Sequence, residues 1–264
     1  MRHRGDRIRR HLSASVAGDP LPLNFLFVLV VGLAAGTISG IVGTGSSIML
    51  MPVLVYQYGP KEAVPIMAVA AVMANLSRIL AWWREVDWRA CAAYSVTGIP
   101  AAALGARTLL VLPPHAVDIS IGLFLIAMVP VRHWLACYDL KASLWHLAIG
   151  GAVIGYITGI VVSTGPLSVP LFLFYGLTKG AFLATEAASS LGLYVSKSVT
   201  FQRFGALTQD VALKGLIAGS SLMAGAFIAK RFVLRLEPDV FRLVMDGIML
   251  AAGAAMLFNA FIGA

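Results

Sequence analysis

GIVGTGSSIMLMP, from Gly40 to Pro52, and GIVVSTGPLSVP, from Gly159 to Pro170, are the two stretches on which the reading of this chain turns. Each follows an apolar run, interrupts it with glycine and hydroxyl residues, and closes a short apolar segment with proline; the two lie about 119 residues apart. Backbone interrupted inside a hydrophobic span is tolerated only where protein buries it or where it lines a cavity, because lipid cannot satisfy free N–H and C=O groups. Paired breaks therefore predict a binding site, provided that the chain lies in a bilayer.

Composition supplies that condition. Apolar residues make up 59% of the chain and charged residues 12%, about half the charged fraction of an ordinary soluble domain. Runs long enough for a membrane helix, which needs about 20 residues, fall near 22–43, 62–83, 90–111, 116–135, 144–162, 180–201, 211–229 and 240–262. The segments 46–58 and 166–176 are too short to span and read as half-helices, re-entrant pieces or continuations of broken neighbours. The expected fold is an all-α polytopic membrane protein of about eight, and at most ten, transmembrane helices.

The net charge of +8 does not imply a nucleic-acid partner, because the excess sits in a tail, in connecting loops and at helix ends. Arg2, Arg4, Arg7, Arg9 and Arg10 precede the first span, which by the positive-inside tendency places the N-terminus of a multi-pass protein in the cytoplasm. The apolar run after Pro22 is too long for a cleaved signal peptide. Cys91 and Cys137 have no metal-ligand spacing and read as packing residues; no metal or other cofactor is expected.

Aligning the breaks brings other residues into step. Gly36 meets Gly155, Pro52 meets Pro170, Lys61 meets Lys179, Ser77–Arg78 meets Ser196–Lys197, Arg84 meets Arg203, and Gly105–Ala106 meets Gly225–Ala226. The chain thus divides into a basic tail (1–20), a first repeat (21–137) and a second repeat (138–264), each with a broken or short re-entrant helix. Internal repeats that meet at a midplane site are a usual construction of secondary transporters. Parallel and inverted arrangements both remain open: eight spans put 11 Lys and Arg inside and 7 outside, whereas ten segments divide them nine against nine.

At the first break Gly43, Thr44 and Gly45 reach backbone conformations that other residues avoid, and Ser46 or Ser47 can cap the short helix that follows. At the second, Ser163 or Thr164 can cap, Gly165 follows, and Pro166 suits a first helical turn. Two positive helix N-termini with free N–H groups and hydroxyls form an anion-binding arrangement. The bland alternative is that these hydroxyls only repair backbone hydrogen bonds at a kink.

Four ionisable residues stand inside spans: Arg78, Glu186, Lys197 and Asp246. Such residues are costly in lipid and commonly functional. Arg78 and Lys197 occupy matching places and would flank one anion or lie on its path, the alternative being that both snorkel to the headgroups. Glu186, Ser190 and Lys197 share a helical face, and Glu186 is the proton-coupling candidate, with a structural ion pair as its alternative. The first repeat carries Asn75, Ser77 and Arg78 on the corresponding stripe, without an acid. Asp246 follows Arg242 by one turn and reads as a local ion pair.

The basic tail, the duplicated glycine-rich break ending in proline, and the helix count resemble the TauE/SafE sulfite exporter family, also called the toluene sulfonate uptake permease family, from about Leu23 onward. The resemblance implies a bacterial-type inner-membrane permease for sulfite, sulfonates, sulfoacetate or a related anion. In place of the family's glycine run stand Gly43-Thr44-Gly45-Ser46-Ser47 and Ser163-Thr164-Gly165-Pro166. The expectation is a non-enzymatic secondary transporter working by alternating access, with the breaks, Asn75, Arg78, Ser190 and Lys197 around the substrate. GxxxxGK[ST] is absent, so energy comes from gradients or a partner. The alternatives are a passive anion channel and an intramembrane serine hydrolase. The hydrolase needs a base, yet His3, His11, His115, His133 and His146 all lie in the tail or near helix ends. Monomer and homodimer are both compatible with the sequence.

Overall fold

A computed structural model describes residues 21–42, 46–136, 141–161 and 164–232, with 246, 247, 250, 251, 253, 254, 257 and 258. The basic tail, Gly43, Thr44, Gly45, Cys137, Ser163 and Arg242 lie outside the described residues, and so does the side chain of Pro166.

Every predicted apolar run within the described residues is helical. In chain order these are α1 (Leu21–Val42), α2 (Ser46–Trp82), α3 (Trp88–Val111), α4 (Pro114–Ala136), α5 (Leu144–Ile160), α6 (Gly165–Phe174), α7 (Lys179–Arg203) and α8 (Gln209–Phe232). The start of α3 is fixed by Asp87, whose carboxylate accepts from the backbone N–H groups of Arg89 and Ala90, both at 3.0 Å. That contact satisfies donors which a helix cannot pair internally.

Both short segments are half-helices, and both end in the same way. Within α2 the helix breaks at Gly59, with φ 75°, directly after Tyr58; α6 runs out at Tyr175 and Gly176, with φ 99°. Left-handed backbone of this kind favours glycine, which lacks the Cβ that would clash. A Tyr-Gly turn thus closes each half-helix.

Side-chain placement is the reverse of a water-soluble globule. Leu26, Phe27, Val30, Val96, Leu104, Val153 and Leu213 face outward, while Asn75, Glu186, Ser189 and Lys197 are buried. An apolar exterior around buried charge suits a hydrocarbon surround. By length and composition, 61–85 and 209–228 each suffice to cross it.

Close helix packing gives the directions. A Cβ on Gly155 would stand 2.5 Å from the Gly98 carbonyl oxygen, and Gly151 and Gly159 abut Tyr94 and Ala102 in the same order, so α5 runs parallel to α3. Gly32 abuts Ser221 and Gly225 abuts Thr37, so α1 runs parallel to α8; Gly215 against Ile66 and Gly219 against Ala70 align α8 with the second part of α2. Only small residues permit this approach, which supplies the packing that a hydrophobic drive cannot supply in lipid. In contrast α2 and α7 run antiparallel, with Trp82 beside Gly180 and Arg78 beside Glu186.

Two helical hairpins follow from these directions. α6 returns beside α5, for the Ala142 N–H donates to the Phe174 carbonyl at 2.8 Å and Gly150 abuts Leu171. The first half-helix of α2 likewise returns to the end from which α1 starts, where Lys214 of α8 lies 3.4 Å from Glu62 and 4.7 Å from the Tyr58 ring centre. The α1–α2 hairpin therefore enters from one end of the bundle and the α5–α6 hairpin from the other. Arg203 consequently lies at the same end as Arg107, whose guanidinium sits over Phe204 at 5.7 Å. Eight single crossings would separate Arg203 from Arg107 and group it with Arg84, whereas a half-helix hairpin returns to its starting side, so the side of each loop follows the parity of ten segments.

Candidate functional site

The tips of the two hairpins meet at one cavity of about 430 Å³, its mouth included. From the first half it is lined by Ser39 of α1 and by Ser46, Ser47, Ala71, Ala74, Asn75 and Arg78 of α2. From the second half come Thr158, Thr164, Gly165, Glu186, Ser190 and Tyr194. Ser46 opens α2, and Thr164 and Gly165 open α6, so the N-terminal ends of both half-helices border the same space. Each brings backbone N–H groups that its own helix leaves unpaired, at the positive end of the helix dipole.

Arg78 and Glu186 stand across this space. The guanidinium Nη1 donates to Glu186 Oε2 at 2.9 Å, and Nη2 donates to the Asn75 side-chain carbonyl. The second carboxylate oxygen of Glu186 accepts from Ser190 Oγ at 2.8 Å and Ser168 Oγ at 3.1 Å. Side-chain exposure is 12% for Arg78 and 3% for Glu186, so this is a desolvated pair and neither residue snorkels. Charged groups so far from water are retained only where partners satisfy them. Tyr94 lies within electrostatic reach of both Glu186 and Tyr194.

Lys197 stands behind the cavity wall and is absent from its lining. It is 0% exposed, and its ammonium donates at 2.7 Å to the carbonyls of both Thr158 and Val161, where α5 ends. A cation placed there offsets the negative end of the α5 dipole and pairs carbonyls left free by the break. The snorkelling expected as its alternative does not occur. Asp246 is buried and faces His133, with Nε2 to Oδ2 at 3.5 Å.

Of the residues singled out from the sequence, the structure brings Ser46, Ser47, Asn75, Arg78, Thr164, Gly165, Glu186 and Ser190 to one place. Gly43, Thr44, Gly45 and Ser163 lie outside the described residues. Pro166 occupies the first turn of α6 as expected. The capping expected of Thr164 is not made by its side chain. Its carbonyl accepts from Leu167 and Ser168, whereas its hydroxyl bonds that of Thr158. The sequence reading missed Ser39, Thr158, Ser168 and Tyr194. A signal existed for the first two, since Ser39 and Thr158 are hydroxyl residues directly before matching glycines, Gly40 and Gly159. No group of three or more potential metal ligands occurs among the described residues.

The sequence profile of the family described as Sulfite exporter TauE/SafE matches residues 28–256. The chain is also 22% identical over 255 residues to the Bacillus subtilis (strain 168) protein named Probable membrane transporter protein YjnA, covering 87% of this chain and 98% of that one. No solved structure matches. The chain belongs to the TauE/SafE family and is a membrane transporter.

Proposed function

We propose that this TauE/SafE family member is a secondary transporter for a small anion of the sulfite and organosulfonate class, operating by alternating access in the bacterial inner membrane. One observation carries the reading: two half-helix N-termini from opposite ends of the bundle border a single hydroxyl-rich cavity that also holds Arg78. A tetrahedral or pyramidal oxyanion has several acceptor oxygens, and Ser39, Ser46, Ser47, Thr158, Thr164 and the guanidinium supply donors around it. Glu186 serves as the counter-ion of Arg78 while the site is empty. An anion that takes Arg78 leaves Glu186 as a buried charge lacking its strongest partner, and proton uptake by Glu186 restores neutrality. That is the basis for coupling anion flux to protons.

The two halves of the sequence act as inverted repeats. Exchanging α1 with α5, the halves of α2 with α6 and α7, and α3 with α8 converts the α1–α8 contact into α5–α3 and the α2–α8 contact into α7–α3. Because glycine seams fasten each hairpin to a helix of the opposite half, the moving bodies are not the sequence halves themselves. One body comprises α1, α2 and α8, and the other α3, α5, α6 and α7; they meet along α2 and α7 at the cavity.

The test is uptake into proteoliposomes across sulfite, sulfate, sulfonates, carboxylates and chloride, at two internal pH values. Saturable uptake of a sulfur oxyanion, with counterflow against unlabelled substrate, is expected. Flux without saturation or counterflow would identify a channel instead, and no flux of any member of the panel would refute the anion reading.

A further inference from the structure

Arg78 and Lys197 occupy matching positions in the register that pairs Gly36 with Gly155, yet they are used differently. Arg78 reaches into the cavity, whereas Lys197 is drawn back onto the carbonyls of Thr158 and Val161 at 2.7 Å each. In the same register Thr158 and Val161 correspond to Ser39 and Val42, and Val42 is the last residue of α1 as Val161 follows the last of α5. The first half thus contains the same resting place for a cation, at the carbonyl end of a broken helix. In the structure Lys197 takes that place in its own half, while Arg78 lines the cavity and pairs with Glu186.

We infer that Lys197 is a second anion-binding cation, which takes over from Arg78 when the cavity opens to the opposite face of the membrane. This rests on the transporter reading above. In a pair of inverted repeats the opposite-facing state is reached when each repeat adopts the conformation of the other. Lys197 then moves from the α5 carbonyls into the cavity, and Arg78 retires from Glu186 to the carbonyls of Ser39 and Val42. Both cations stay paired throughout, as a charge surrounded by lipid and protein requires. The displacement asked of Lys197 is short, because Thr158, whose carbonyl holds it, itself lines the cavity. Nor is the exchange fully symmetrical: the positions of the first half that match Glu186 carry Met67 and Ala68, so the first half has no acid there.

The experiment measures half-saturation for sulfite counterflow from each face of proteoliposomes of known orientation. Arg78→Gln and Lys197→Gln are expected to raise it about tenfold or more on opposite faces, the loss of a charge-assisted contact in one state only. Lys197→Arg, which keeps the charge but not the compact ammonium, is expected to shift the same face as Lys197→Gln by a smaller factor, and it decides the matter should the glutamine variant fail to fold. Lysine substitutions that shift both faces equally, or that shift the same face as Arg78→Gln, would overturn the role of Lys197 while leaving the transporter reading intact. Absence of sulfite counterflow in the unaltered protein would instead remove the reading on which it rests.

Discussion

Replacing Arg78 by glutamine tests the central electrostatic feature most directly. The substitution removes the 2.9 Å ion pair but leaves Glu186 in place, 3% exposed, with hydroxyl donors at 2.8 Å and 3.1 Å from Ser190 and Ser168. Removing one partner of a buried pair costs about 3–5 kcal/mol, because the survivor is left uncompensated. At roughly 2–4 °C per kcal/mol for chains of comparable size, the expected fall in Tm is of order 10 °C. The double variant Arg78→Gln with Glu186→Gln has no orphan charge and is expected to recover most of that loss, since neutral groups in place of a buried pair are often close to neutral in stability. Transport behaves differently: both variants lack the cavity cation of this state, so both are expected to raise half-saturation for sulfite about tenfold or more on one face. The assay is thermal unfolding of detergent-purified protein beside flux in proteoliposomes. A single variant as stable as the parent, or a double variant that transports normally, would refute the reasoning.

Two further outcomes follow from the same geometry. Glu186→Gln is expected to abolish pH-gradient-driven anion accumulation while counterflow at equal pH persists, and retained pH-driven accumulation would exclude Glu186 from coupling. Ser47→Ala and Thr164→Ala, one at each hairpin tip, are each expected to raise half-saturation by about 3–10-fold, from about 0.5–1.5 kcal/mol per lost hydrogen bond. If either leaves half-saturation for the preferred anion unmoved, that hydroxyl does not touch it.

Helix positions were legible because apolar length and the two breaks are local properties of the sequence. The ends of the half-helices were less so: Tyr58–Gly59 and Tyr175–Gly176 are a repeated dipeptide, but the pairings of Pro52 with Pro170 and Lys61 with Lys179 put it one position out of step. Arg78 and Glu186 were each visible as buried ions, whereas their pairing was not. They are 108 residues apart, and nothing local specifies that α2 and α7 pack antiparallel. The inversion proposed above was hidden for a related reason. A hairpin adds two short segments and no net crossing, and loop charges that divide nine against nine carry no preference to reveal it. Lys197 shows the remaining limit, since its carbonyl partners lie on α5, 39 and 36 residues earlier in the chain.

On the alternating-access reading, the chemistry of the helix contacts separates permanent joints from the movable one. Along α1–α8 and α3–α5 the contacts are glycine against backbone, so close that a single methyl group would collide. A surface of this kind fits in one register and gains nothing elsewhere, which makes it a fastening. Along α2–α7 the chain places Arg78, Asn75, Glu186 and Ser190 instead. An ion pair is a poor choice for mere cohesion, since apolar replacements are commonly as stable. Its use lies in having alternative partners, because an anion can replace Glu186 at Arg78 and a proton can replace Arg78 at Glu186. Arg78 travels with one hairpin tip and Glu186 with the other, so separating the two bodies at this end requires the pair to open. On the proposed reading a bound anion and a proton make that opening possible, and movement without them would strand the Glu186 charge away from water. On that reading the same pair selects the solute and holds the empty carrier closed.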